Sequence, residues 1–217
     1  MHGRFEKDAT LRELAEAGTL VAYFGYGSLV NRATLRTVIV AARPARVTGW
    51  RREWQARPGI AADPVDHADI SLLTARRDPG MAIDGLLVFD RLENLPAVDL
   101  REKDYQRHEI PAGDLSLSGD GVPAGCPIFI YEADPPAEGL ESPPILQSYL
   151  DAVLQGFHRE HGLDGLKEFI ALTGNFETPV LRDRDWPIYP RAVTLAAEES
   201  ALYDELLARR GVSYIER

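Results

Sequence analysis

Residues 19–24 (TLVAYF) form an unbroken apolar run, β-branched and aromatic, with a glycine on either side. A run of that length between glycines predicts a buried strand. It passes straight into Gly25-Tyr26-Gly27-Ser28-Leu29, and residues 31–36 then read as a polar helical start. Further strands are predicted over 46–56, 69–75, 82–90 and 129–132. Residues 8–17 read as a short helix, with Asp8 or Thr10 as N-cap and Gly18 as the stop. Residues 92–103 read as another, with Pro96 near its first turn. Over 145–161, Leu146, Tyr149, Val153 and Phe157 recur at i, i+3, i+7 and i+11, which predicts a longer helix. Two more are predicted over 163–172, ended by Gly174-Asn175, and over 197–210. The proline-rich tract 133–144 reads as a linking loop. Strands fill the first two-thirds and helices the last third without regular βαβ alternation, so the pattern favours α+β over a doubly wound sheet.

Composition narrows the function classes. The chain has 217 residues, 45% of them apolar, which suits one large domain or a domain with a small helical appendage. Lys and Arg number 24 against 34 Asp and Glu, a net charge of −10. A surface built to grip nucleic-acid phosphates or anionic membranes is therefore not expected. Cys126 is the one cysteine, so neither an intrachain disulfide nor a cysteine-rich zinc site is available. The first 20 residues carry no signal-type apolar run, and no stretch approaches the roughly 20 apolar residues that span a bilayer. The expectation is a soluble cytoplasmic protein.

A strand, then Gly-x-Gly-Ser, then a helical start is a geometry in which backbone N–H groups converge on an anion. A Rossmann fingerprint would need a third glycine where the chain has Val30, and no Gly-Lys-Ser/Thr follows to make a P-loop. A tight turn that merely uses glycine to leave the strand is the plainer reading.

Four blocks in order resemble the gamma-glutamylcyclotransferase-like superfamily, including its ChaC type. Tyr26-Gly27-Ser28-Leu29 is similar to the family's Tyr-Gly-Ser-Leu signature. Gly49-Trp50-Arg51-Arg52-Glu53-Trp54 resembles its Gly-aromatic-x-Arg strand. Asp99-Leu100-Arg101-Glu102, followed by Tyr105 and Arg107, resembles its Asp-x-x-Glu block, and Pro144 to Gly156 its late helix. The resemblance covers residues 20–162, leaving 163–217 as a C-terminal helical extension, expected to pack on the same domain. It implies an α+β fold with a small closed or barrel-like mixed sheet flanked by helices. It also implies a cofactor-free enzyme that closes a γ-glutamyl group into 5-oxoproline and releases the partner amine. Glu102 takes the family's catalytic position, and Tyr26, Gly27, Ser28 and Leu29 take that of the substrate loop.

The chemistry suits these residue types. The substrate's α-amine must lose a proton, its side-chain carbonyl must be stabilised as it becomes anionic, and the leaving amine must gain a proton. One carboxylate can serve both proton steps, and positioning does much of the rest because nucleophile and electrophile share one molecule. If 92–103 is helical, Glu102 extends the apolar face of Leu95 and Val98, where desolvation raises a carboxyl pKa. Without the resemblance, Glu102 reads as a solvated helix-end charge between Arg101 and Lys103. Glu93 and Glu109 are weaker candidates. Tyr105 and Tyr149 are expected either to line the pocket or to pack in the core. Ser28 lacks the Gly-x-Ser-x-Gly elbow of a nucleophile. His158 and His161 read as a solvated helix face, Asp63, Asp66, His67 and Asp69 as a polar loop, Cys126, Trp50 and Trp54 as core, and 186–190 as a lid or clasp. Two other readings stay open: a non-enzymatic module binding an acidic metabolite or peptide, and a related acyl- or amide-cleaving enzyme on the same scaffold.

Overall fold

The computed structural model describes residues 2–57, 70–117, 121–136 and 142–217, with side chains from residue 9 onward. The loop holding Asp63, Asp66, His67 and Asp69 lies outside this set, as do residues 137–141 of the proline-rich tract. The chain opens with helix α1 (His2–Glu16), which starts well before Asp8 and Thr10, so neither is its N-cap. The apolar run becomes β1 (Leu20–Gly25), buried at every position. Two long strands follow, β2 (Ala41–Ala56) and β3 (Ser71–Arg91), paired antiparallel from Ala41↔Phe89 to Ala56↔Ser71. The stretches predicted at 69–75 and 82–90 thus belong to a single strand. The register shift between Thr48 and Trp50 accommodates the Asp78-Pro79-Gly80 excursion between them.

The remaining elements are helix α2 (Leu95–Arg101), strands β4 (Tyr105–Glu109), β5 (Leu115–Leu117), β6 (Ile128–Ala133) and β7 (Ile145–Leu146), helix α3 (Gln147–Leu172), strands β8 (Thr173–Gly174) and β9 (Val180–Leu181), helix α4 (Ala197–Arg210) and strand β10 (Tyr214–Ile215). The main sheet runs β4-β6-β1-β3-β2-β5, with β8 also paired to β2, and β10-β9-β7 form a small parallel sheet. The main sheet is mixed: β1 pairs antiparallel with β3 and parallel with β6. It is open, which corrects the expectation of a closed or barrel-like sheet. The outer strand β4 exposes Gln106, Arg107, His108 and Glu109, and an edge strand carrying charges resists further pairing. The opposite edge, β5, has only three residues.

Helix α3 covers the two helices predicted over 145–161 and 163–172. The break between them is Gly162, at φ 68° and ψ −169°, a conformation that glycine adopts without a Cβ penalty. The core includes Tyr23, Phe24, Phe89, Trp50 and Trp54 from the sheet and Phe157 and Phe169 from α3, and Tyr203 and Leu207 of α4 join the same cluster. Arg52 shares the buried β2 face with both tryptophans. Its guanidinium lies 4.7 Å from the centroids of Phe157 and Phe169 and donates to the Asp84 carbonyl at 2.7 Å. Burial lowers its pKa to about 9, and the stacked rings offset part of the desolvation cost. Among the described residues, no helix is long and apolar enough to cross a membrane.

Gly85 of β3 packs directly against the end of β1. A Cβ there would lie 2.2 Å from the Gly25 carbonyl oxygen and 2.6 Å from the Phe24 ring. Gly85→Ala is therefore expected to cost about 1–3 kcal/mol through overpacking, read as a lowered urea midpoint at unchanged slope. A loss of only a few tenths of a kcal/mol would mean that the strands spread without penalty.

Candidate active site

Strand β1 ends against the glycine turn because side chains are excluded there. A Cβ on Gly25 would meet Leu29 Cβ at 2.6 Å, and one on Gly27 would meet the Tyr149 hydroxyl at 3.0 Å. The chain then folds into two 3-10 turns, Ser28–Val30 and Arg32–Thr34, in place of the helix expected over 31–36. The reason is local hydrogen bonding. The Asn31 side chain accepts from the Ala33 amide at 3.0 Å, and the Thr34 hydroxyl donates to the Ser28 and Asn31 carbonyls at 2.6 and 3.0 Å. Asn31 also donates to the Ala152 carbonyl and Gln155 of α3, at 2.9 and 3.0 Å. The turn is thereby fastened to the long helix. Val30 and Asn31 amides close the first turn, while those of Gly27, Ser28 and Leu29 have no backbone acceptor among the described residues, as expected at the start of a helical turn.

Glu102 meets this turn from the other side. Helix α2 ends at Arg101, one residue short of Glu102, which is its C-cap and still donates its amide to the Val98 carbonyl at 3.0 Å. Its side chain keeps 16% of its surface open and lines a narrow cavity with the Gly25–Leu29 turn, Leu73, Tyr105, Tyr131 and Tyr149. A roomier chamber of about 120 Å³ adjoins it, sharing Ser28, Glu102, Tyr105 and Tyr149 and adding Arg57, Asp104, Tyr189 and Arg191. Burial raises the Glu102 pKa above its ordinary value, with the charges of Arg101 and Arg191 pulling the other way. Three larger hollows, about 420 Å³ beside Trp186, about 300 Å³ beside Leu11 and about 260 Å³ beside Leu100, are not lined by Glu102, and only the last touches the turn, through Leu29. Chemistry, not volume, selects the smaller site.

Arg101 is the residue that sequence reasoning passed over. Its Nε lies 2.9 Å from Glu102 Oε1, Nη1 donates to the Thr34 carbonyl at 2.7 Å, and Nη2 reaches Ser28 Oγ at 3.2 Å. One guanidinium thus ties the carboxylate to the turn, and the clue was its place beside Glu102. Ser28 Oγ, accepting that bond, is held by a cation rather than by a base.

The other predicted residues divide between lining and scaffold. Tyr26 lies at the cavity, but its hydroxyl donates to the Tyr131 carbonyl, and Leu29 packs its side chain into the core, so the turn presents mainly its backbone. Tyr105 donates to the Leu73 carbonyl at 3.0 Å. Tyr149 stands over Gly27 with the Ser28 amide against its oxygen, and burial keeps both tyrosines protonated. Asp99 and Arg107 of the same block form an ion pair that also takes the Tyr131 hydroxyl, a brace between α2 and the sheet.

Glu93 and Glu109 are exposed and line neither cavity. Trp50 and Trp54 are core, and Trp54 backs the Tyr149 ring at 5.8 Å. Cys126 is buried, its thiol pKa pushed up to about 12. The histidines are less solvated than expected: His158 reaches the Tyr203 hydroxyl at 3.2 Å, and His161 reaches the Gly85 carbonyl at 2.8 Å.

No protein-family model matches the sequence, and no curated protein matches it. Solved structures do. A structure described as gamma-glutamyl cyclotransferase superposes with a TM-score of 0.54 at 15% identity, covering 86% of this chain and 99% of that one. YkqA from Bacillus subtilis superposes with a TM-score of 0.52 at 15% identity, covering 72% of this chain and 55% of that one. At such identity the likeness is one of fold, and it does not single out the ChaC type. The chain has the gamma-glutamyl cyclotransferase-like fold.

Proposed function

We propose that the protein cyclises a γ-glutamyl compound, releasing 5-oxoproline and the partner amine, with Glu102 as acid and base. The observation that supports this best is the largely buried carboxylate of Glu102 lining one cavity with the glycine turn, whose Gly27 and Leu29 amides have no backbone acceptor among the described residues. In this reading the Glu102 carboxylate takes a proton from the substrate's α-ammonium. The freed amine attacks the γ-carbonyl carbon, forming the ring C–N bond, and the turn amides receive the developing oxyanion. Glu102 gives that proton to the departing nitrogen as the original C–N bond breaks, then takes the second proton from the ring nitrogen, which becomes the lactam N–H, and passes it to the released amine. The raised pKa of Glu102 suits both transfers, since a stronger base near neutrality is also a usable acid. The structural neighbour described as gamma-glutamyl cyclotransferase adds a fold-level analogy to this site-level argument.

The test is to incubate the purified protein with glutathione, γ-glutamyl dipeptides and γ-glutamyl amines, and to measure 5-oxoproline and free amine. Equal amounts of the two products from any substrate support the reading. No 5-oxoproline from the whole panel, with tight binding of glutamate or 5-oxoproline, replaces it with a binding module.

A further inference from the structure

Strands β7, β9 and β10 run parallel, so their carboxyl ends open on one side. The residues that follow them, Gln147, Arg182 with Asp183, and Glu216 with Arg217, line a hollow of about 420 Å³. Ligands of open α/β sheets bind in a crevice of that kind. The segment after β9 walls it. Buried Asp183 accepts from the Ser148 amide at 2.7 Å, from the Ser148 hydroxyl, and from the Ile188 amide at 2.9 Å. The Tyr189 amide donates to Ser148 Oγ at 3.2 Å. These bonds clasp the segment over the start of α3 and seat the Tyr189 ring edge-on to Tyr149, with centroids 5.0 Å apart. Trp186, in the same segment, lines the hollow and keeps 78% of its surface exposed. Arg217 donates to the Trp186 carbonyl at 2.8 Å, which ties the segment to the chain after β10.

Gln147 is only 3% exposed, yet its side-chain amide has no hydrogen-bond partner among the described residues. A buried amide left without a partner costs stability, and this one borders the hollow rather than the sealed core. A carboxamide presents one donor and one acceptor side by side, the pair that the edge of a nucleobase completes. An exposed indole is a platform on which a base stacks. The rim does not select an anion. Asp185 and Glu216 set carboxylates among its guanidinium groups, Arg182 is paired with Glu216 at 3.2 Å, and Asp183 already takes the Ser148 amide. Recognition therefore falls on an uncharged edge and face.

We propose that this hollow binds a nucleobase, carried by a nucleoside or a nucleotide, with the edge of the base on Gln147 and its face on Trp186. The hollow shares no lining residue with the two cavities at Glu102, so the site stands independently of the cyclisation reading.

The test is calorimetric titration of the purified protein with adenosine, guanosine, cytidine, uridine, their monophosphates and ribose 5-phosphate, alongside tryptophan fluorescence. Trp50 and Trp54 are fully buried, so Trp186 supplies the solvent-exposed emission that a stacked base quenches. At least one base-bearing compound is expected to bind saturably and quench that emission, and ribose 5-phosphate is expected not to bind. Equal affinity for a nucleoside and its monophosphate makes the nucleoside sufficient, whereas tighter binding of the monophosphate makes the ligand a nucleotide. Gln147→Met keeps the length of the side chain and removes its donor and acceptor, and is expected to weaken binding by about tenfold or more. Trp186→Ala, at an exposed position that the core does not use, is expected to weaken it by a similar factor of about ten. No binding from the whole panel at millimolar concentration, ribose 5-phosphate binding as tightly as the monophosphates, or an affinity unmoved in either variant overturns the proposal. Each readout is binding, so none depends on turnover of a γ-glutamyl compound.

Discussion

Replacing Glu102 with Gln is expected to lower 5-oxoproline release by about a hundred- to ten-thousandfold, the range typical of general acid–base catalysis. The amide keeps the size of the carboxylate and leaves Arg101 its bonds to Thr34 and Ser28, so the loss reports the missing base rather than a collapsed turn. The same carboxylate sets the acid limb of the wild type. With Glu102 as the base proposed above, activity is expected to fall as pH drops through its folded-state pKa, and burial places that pKa above the ordinary carboxylate value. Stability moves the opposite way. A raised folded-state pKa favours the protonated fold, so this contribution is fully present below the unfolded pKa and is lost as pH rises through the folded one. At neutral pH the ionised side chain costs stability that Gln does not. Glu102→Gln should thus melt no lower than wild type near pH 7, with any advantage fading in acid. A variant as active as wild type removes Glu102 from the mechanism, and one that is inactive but melts much lower shows a structural role instead.

The parts of this arrangement visible in sequence are those carried by local pattern. The apolar run of β1 and its glycines mark both the strand and the turn, because a buried strand and a side-chain-free exit each leave a signature in composition. The face shared by Leu95, Val98 and Glu102 likewise points the glutamate inward, although α2 stops one residue earlier. What stayed hidden depends on partners far along the chain. Strand β4 has no alternation of apolar and polar residues, because Gln106 to Glu109 are all exposed along an edge. The open sheet follows from that edge and cannot be read from the separate strands. The 3-10 turns arise from Asn31 and Thr34 side chains competing with helical hydrogen bonding. Tyr189 and Arg191 reach the chamber only because Asp183 folds their segment over Ser148, a contact spanning 35 residues. No spacing rule within the segment announces it.

Truncating Arg184 should show how strongly that segment is held. Its guanidinium grips Asp151 of α3 through Nε at 2.8 Å and Nη2 at 3.0 Å, and Asp204 of α4 through Nη1 at 2.9 Å and Nη2 at 2.8 Å. The two arms differ in weight. Asp204 is 47% exposed, so its arm contributes at most about 1 kcal/mol. Asp151 is only 3% exposed, and Arg184→Ala leaves its charge buried without a cation, at a cost of about 3–5 kcal/mol. Burial already raises the Asp151 pKa despite Arg184, and removing the arginine raises it further. A raised folded-state pKa gives stability that is present in acid and lost as pH rises through it, so the deficit of the variant should shrink as pH is lowered. Urea denaturation at neutral and acid pH reads both effects. The double variant Asp151→Asn/Arg184→Met carries no buried charge and should recover most of the loss, because the penalty belongs to the orphaned carboxylate. If Arg184→Ala alone costs less than about 1 kcal/mol at neutral pH, the cluster is no stronger than a surface ion pair. The clasp over α3 would then rest on Asp183 and the Tyr149–Tyr189 contact.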